Sequence, residues 1–208
     1  FGGDTGLLIY AGGDDVLALL PLEFALDCAQ RLQSRFNALT GCTASAGIAI
    51  TPADLPLDRA LELARAAEEE AKEEYGRNAV VAVEAHGTGQ MRSAGAKWGV
   101  LPIVRDLQKW FAEDALSGKL GYDLLTVDQY LFGVELKSAR AAEVERLARR
   151  RTHESADYDK VVSPTIRQMI GAVEEPGSGM TWRDMANWVI LARFLSQKPQ
   201  QKPQEAHK

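Results

Sequence analysis

The chain has 208 residues, 46% hydrophobic and 25% charged, and its 29 acidic side chains outnumber 24 Lys and Arg for a formal net charge of −5. That length can bury a real core, and no apolar stretch is long enough to cross a bilayer or to read as a secretory leader. Cys28 and Cys42 are too few for a disulfide scaffold or a zinc-binding set, so the expectation is a cytoplasmic globular protein with buried free thiols.

Near the N-terminus the apolar runs Leu7-Leu8-Ile9-Tyr10 and Val16-Leu17-Ala18-Leu19-Leu20 flank Gly12-Gly13-Asp14-Asp15. A Gly-Gly pair permits the positive φ angles of a two-residue hairpin turn, which predicts two strands meeting at a tip that displays adjacent carboxylates. Such a tip suits Mg²⁺, a hard cation that takes one or two carboxylates and leaves the rest of its shell to water and phosphates. Gly and Asp are also ordinary turn residues, and a plain surface turn is the competing reading.

Pro21 suits a helix start, and Leu22, Ala25, Leu26, Ala29, Leu32, Phe36 and Leu39 recur at helical spacing, which predicts a helix covering the hairpin. Cys42 to Ile50 reads as a buried strand closed by Thr51-Pro52. A second helix is expected from about Leu57 to Tyr75 with Gly76 as its cap, followed by Val80-Val81-Ala82-Val83 as the last short strand. Ser45 and Gly47, small residues on the middle strand, either admit a nucleotide or allow a helix to pack closely on the sheet, and packing is the preferred reading for Gly47. Lys72 lies in the last helical turn, where a cation offsets the helix dipole.

These segments, "LLIYAGGDDVLALLPLEFAL" and "TASAGIAITPADLPLDRALELARAAEEEAKEEYGRNAVVAV", resemble the second palm domain of the large polymerase-like subunit of type III CRISPR effector complexes, in its Cmr (III-B) branch. The palm of that family is related to nucleotidyl cyclase domains. Diguanylate cyclases usually carry a Glu-Phe pair where this chain has Asp15-Val16, so that relative ranks second. The resemblance implies an α+β fold: a ferredoxin-like, nucleotidyl-cyclase-type palm with an antiparallel sheet, followed by an all-α helical domain. It further implies a nucleotidyltransferase that binds ATP with Mg²⁺ or Mn²⁺ and makes cyclic oligoadenylate messengers when target RNA is engaged. On this reading Asp14 and Asp15 are catalytic and hold metal, while Gly12, Gly13, Ser45, Lys72 and Arg77 bind nucleotide. Implied partners are the small helical subunit and the backbone subunits, with crRNA and target RNA reached through the complex and no membrane involved. A first palm strand bearing another metal-binding Asp would be expected upstream of the hairpin. The sequence opens on Phe1-Gly2-Gly3-Asp4, where Asp4 is a poor substitute, and no His in the chain precedes an Asp as the family's nuclease motif would require.

The expected division is a palm at 1–86, a helical domain at 98–196 and a polar, Pro-broken tail at 197–208, with His86 to Gly95 as the boundary. Formal charge shifts from −8 over residues 1–86 to +3 over 87–208, the acid falling largely on Glu68, Glu69, Glu70, Glu73 and Glu74, read as a solvated helix face. Three apolar stripes are expected beyond the boundary: Val100, Leu101, Val104, Leu107, Trp110 and Phe111; Ala139, Ala142, Leu147 and Ala148; and Trp182, Met185, Trp188, Val189, Ala192 and Leu195. Arg146, Arg149, Arg150 and Arg151 form the dense basic cluster, suited to phosphates or an acidic partner, or else to pairing with Glu143, Glu145 and Glu154. A non-catalytic scaffold within such a complex is the remaining alternative.

Overall fold

A computed structural model of the chain describes residues 6–86, 89–131 and 137–197. Asp4 and the tail from residue 198 lie outside the described residues. Strands β1 (Leu7–Gly12) and β2 (Asp15–Leu19) form an antiparallel hairpin, and Ile9 drops out of the register as a bulge between Leu8 and Tyr10. Helix α1 (Leu22–Thr40) starts after Pro21 and ends on Gly41, whose left-handed φ of 70° lets its N–H bond back to the Asn37 carbonyl. Strand β3 (Ala46–Ile50), helix α2 (Leu57–Glu73) and strand β4 (Ala79–Ala85) follow. Because α2 carries the chain back across the sheet, β3 and β4 run parallel, a departure from the all-antiparallel expectation.

Val80–Val83 does not end the sheet. Strand β5 (Met91–Lys97) pairs antiparallel along the whole of β4, from Ala79–Lys97 to Ala85–Met91. Its Ser, Ala and Gly residues read as a linker because nothing in them favours a strand, yet Ala94 and Ala96 are buried and a small residue between them is required. Gly95 is the clearest case, since a Cβ there would stand 2.1 Å from the Tyr75 ring.

Helices α3 (Val100–Ala112), α4 (Leu120–Tyr130), α5 (Lys137–Arg151), α6 (Ser163–Glu174) and α7 (Trp182–Leu195) complete the fold, and a π-helical turn at Tyr158–Val162 leads into α6. The α3 stripe buries as expected, with Leu101, Val104 and Leu107 fully enclosed. In α5 the buried residues are Val144, Leu147 and Ala148 while Ala139 and Ala142 are exposed, because the helix turns its larger apolar groups inward. The core is continuous from Val80, Ala82, Ala94 and Ala96 of the sheet into α3 and α7. Trp188 is fully buried and donates its indole N–H to the Gly95 carbonyl, while Trp98 bonds the Ala44 carbonyl; the Trp side chains serve as core residues.

Three expectations about burial change. Helix α1 packs on β3 and reaches α3 through an Arg105–Asp27 ion pair, and it does not enclose the hairpin. Leu7 at 62% and Tyr10 at 54% exposure, with Leu8, Ile9, Val16 and Leu19, leave that ribbon bare, because too little is packed on the faces of the two-stranded sheet to bury them. The buried strand expected from Cys42 is shorter, beginning at Ala46, and Ile50 is its one buried residue. Finally, Cys42 is exposed and Cys28 half-buried, since Cys42 stands in the loop between Gly41 and β3, not in the sheet.

Gly47 is a packing residue. A Cβ there would meet the Ala64 carbonyl at 2.1 Å and the Glu68 amide nitrogen at 2.3 Å, both backbone atoms of α2 that cannot move alone. Gly47→Ala should therefore lower stability by about 1–3 kcal/mol, as forced overpacking does. A shift in the urea midpoint at unchanged slope is the measurement.

Candidate functional site

Gly13 has φ 63° and Asp14 does not have positive φ, the pattern of a type II′ turn with Gly at its first central position. Asp14 is thus at the tip and Asp15 opens β2, both exposed. Among the described residues neither carboxylate has a hydrogen bond or ion pair. Gly12 gives room to the Tyr10 ring, whose hydroxyl would lie 2.4 Å from a Cβ at that position.

Two free carboxylates fit a single Mg²⁺ whose other ligands are water and phosphate oxygens. They do not complete a two-metal centre, which draws carboxylates from more than one strand, and among the described residues no third His, Cys, Asp or Glu joins them.

A second group of candidates gathers at the end of α2. Lys72, in its last turn, is paired with Glu68 at 2.8 Å, and the hydrogen bond it donates to that carboxylate raises the Lys72 pKa above its ordinary value. The ammonium is charged and half-exposed. Helix α2 closes in a Schellman-type turn: Gly76 has φ 63°, and the Arg77 N–H bonds the Ala71 and Lys72 carbonyls at 3.2 Å each. Arg77 and Asn78 then also take left-handed angles, φ 58° and 47°, which Asn adopts readily but Arg only when held there. Arg77 is exposed. Ser45 is half-buried just before β3. Lys72 and Arg77 therefore share one helix end, whereas Asp14 and Asp15 stand on the separate hairpin, and among the described residues no hydrogen bond or ion pair connects the two groups.

The residues that hold this helix end escape a reading of the sequence. Tyr75 donates its hydroxyl to Asp184 at 2.8 Å, and burial together with that carboxyl group pushes the Tyr75 pKa far above the phenol range. Lys97 donates to the carbonyls of Tyr75, Gly76 and Arg77. Thr181-x-x-Asp184 is a capping-box pattern, a local start signal for α7, but its reach to Tyr75 is a tertiary fact.

The acidic face of α2 is not wholly solvated. Glu69, Glu73 and Glu74 are exposed, but Glu70 turns toward β5 and accepts from the Ser93 hydroxyl at 3.1 Å, because the sheet extends beneath it. In the basic cluster Arg146 pairs with Glu143 at 2.7 Å, Arg149 with Asp159 at 2.7 Å and Arg151 with Asp123 at 2.5 Å, while Glu145 pairs instead with Arg167. Among the described residues Arg150 has no ion pair.

Residues 2–81 match the family described as Cas10/Cmr2, second palm domain. The chain is also 49% identical over 69 residues to the CRISPR system Cmr subunit Cmr2 of Pyrococcus furiosus, a stretch that covers 30% of this chain and 8% of that relative. The chain therefore spans only a small part of the length of the curated relative it matches.

Burial raises the Glu70 pKa, partly offset by the Ser93 hydrogen bond and reinforced by Asp184 and Glu74. The folded chain thus favours the protonated form. Stability from this group is full below the unfolded carboxyl pKa of about 4.3 and is lost as pH rises through the higher folded value. Glu70→Gln, which cannot ionise, should therefore be more stable than the parent at pH 7.5. Urea unfolding should show that advantage closing below about pH 4.

Proposed function

With residues 2–81 a second palm domain of the Cas10/Cmr2 family, we propose that the chain belongs to the large subunit of a type III CRISPR effector complex and carries the metal- and nucleotide-binding half of an ATP-dependent nucleotidyltransfer site. The product of that activity is a cyclic oligoadenylate, made when target RNA is engaged. The observation that carries the reading is the hairpin tip: Asp14 and Asp15, exposed and unengaged, displayed by a Gly13-Asp14 turn within the matched segment.

Asp14 and Asp15 are the carboxylates that would hold Mg²⁺ or Mn²⁺, and the ion supplies charge neutralisation at the phosphate oxygens. The protein's own task in phosphoryl and nucleotidyl transfer is positioning and charge stabilisation. Gly12 and Gly13 keep side chains away from the tip, so the backbone can approach a phosphate. Lys72 exchanges its Glu68 partner for the triphosphate, and Arg77 adds a second cation from the same helix end. Ser45 offers its hydroxyl to the base or ribose edge. Helical residues 98–196 supply contacts to the small helical subunit and the backbone subunits, and through them to crRNA and target RNA. The exposed Arg150, free among the described residues, is the member of the basic cluster best placed to add charge to that contact.

Asp14→Ala with Asp15→Ala, made in the complete subunit within its assembled complex, should reduce oligoadenylate synthesis by about 10²-fold or more while assembly is unchanged. Undiminished synthesis would remove the assignment. Lys72→Ala should weaken ATP binding by roughly 10- to 100-fold, as expected for a lost charge-assisted bond to phosphate. Calorimetric titration with ATP and Mg²⁺ separates this outcome from the dipole role, in which affinity stays constant and only the unfolding temperature falls.

A further inference from the structure

Lys97 lies beyond the matched palm segment, at the C-terminal end of β5, and reaches back across the sheet to the end of α2. Its ammonium group lies 2.5 Å from the Tyr75 carbonyl oxygen, 3.2 Å from that of Gly76 and 2.7 Å from that of Arg77. An ammonium has three N–H donors and no acceptor, so three converging carbonyls satisfy it completely. Lys97 consequently has no donor left for a phosphate. Its charge instead sits at a helix C-terminus, where free carbonyls concentrate partial negative charge.

The turn it holds is a costly one. Gly76, Arg77 and Asn78 are left-handed in succession; Gly and Asn take such angles readily, so Arg77 is the strained member. A long side chain persists there where the surroundings enforce it. Two anchors do so here. Lys97 draws in the carbonyls of residues 75–77, and Asp184, from the start of α7, fixes the Tyr75 hydroxyl on the other side. The direction in which Arg77 leaves the turn is set by these contacts.

We infer that Lys97 is a positioning residue for nucleotide binding: it holds the Gly76–Asn78 turn in the conformation that presents Arg77 beside Lys72, without touching the nucleotide itself. This rests on the reading of Lys72 and Arg77 as triphosphate ligands. It extends that reading to a residue outside the palm segment and makes ATP affinity depend on the strand that joins the palm to the helices.

The test uses Lys97→Met, Lys97→Arg, Lys72→Ala and the parent in the complete protein, with ATP and Mg²⁺ as the probe, calorimetric binding and steady-state synthesis as readouts, and amide exchange at Arg77 and Asn78. Lys97→Met should raise the ATP Kd and KM by about tenfold, the scale of one lost charge-assisted contact, with kcat little changed and faster exchange at both amides. Lys97→Arg should fall between, because a planar guanidinium keeps the charge but cannot direct three donors to one converging point. Should Lys97→Met not fold, the Arg variant carries the test: a raised KM at unchanged kcat supports the role. Unchanged ATP affinity in the Met variant (or, if that does not fold, in the Arg variant) with faster exchange and a lower unfolding temperature would reduce Lys97 to a helix cap and overturn the inference. If Lys72→Ala also left ATP affinity unchanged, the underlying site assignment would fail with it; a loss in Lys72→Ala alone would isolate the failure to Lys97.

Discussion

Asp184 is a carboxyl group at 7% exposure with four donors directed at it: the Tyr75 hydroxyl at 2.8 Å, the Gly95 amide at 3.3 Å, and the Thr181 amide at 2.8 Å and hydroxyl at 2.6 Å. A buried carboxyl group is tolerable only when its oxygens are saturated, so these partners must arrive together. They come from the turn after α2, from β5 and from the N-cap of α7. The contact therefore fixes where the last helix begins and how it lies on the sheet. Asn187 and Trp188 continue the same attachment one turn further on, bonding the Ser93 and Gly95 carbonyls at 2.6 and 3.2 Å.

This attachment explains why, in a chain that changes composition near residue 86, the larger of two apolar clusters is shared between sheet and helices, while the smaller one lies between α2 and the sheet residues Ala79, Val81 and Val83. Along the sequence, acid gives way to base and strands give way to helices. In space, β5 is both the outer strand of the three-stranded sheet and the surface on which α7 lies. Small residues make that double role possible. Gly95 leaves room for the Tyr75 ring, which any side chain there would displace, and Ala94 and Ala96 are buried in the same cluster as Trp188.

What the sequence reveals depends on whether a feature is local. The hairpin turn, the Gly41 and Gly76 caps and the apolar stripe of α3 are set by residues within a few positions of one another, and each is legible from spacing alone. The candidate carboxylates are legible for the same reason, since Asp14 and Asp15 are adjacent and need no partner to be recognised. Strand β5 is not. Met91 to Lys97 has no β-branched residue and no alternating pattern, and it becomes a strand only because β4 offers it a full edge. The inward turn of Glu70, the pairing of Glu145 with Arg167 instead of an arginine of its own helix, and the three carbonyls around Lys97 are likewise products of tertiary approach.

The bare hairpin has a thermodynamic consequence. Its two strands bond only to each other, and its apolar side chains remain in water, so little of the free energy that holds Trp188 or Leu101 in place is shared with it. Opening the ribbon breaks one short ladder and exposes almost no new apolar surface. It thus behaves as a cooperative unit of its own at the low end of the molecule's range of local stabilities, and a global unfolding curve would hardly register its loss. The two carboxylates at its tip inherit that independence: how sharply they are positioned is decided by the ribbon's own equilibrium and by whatever packs against it, not by the core.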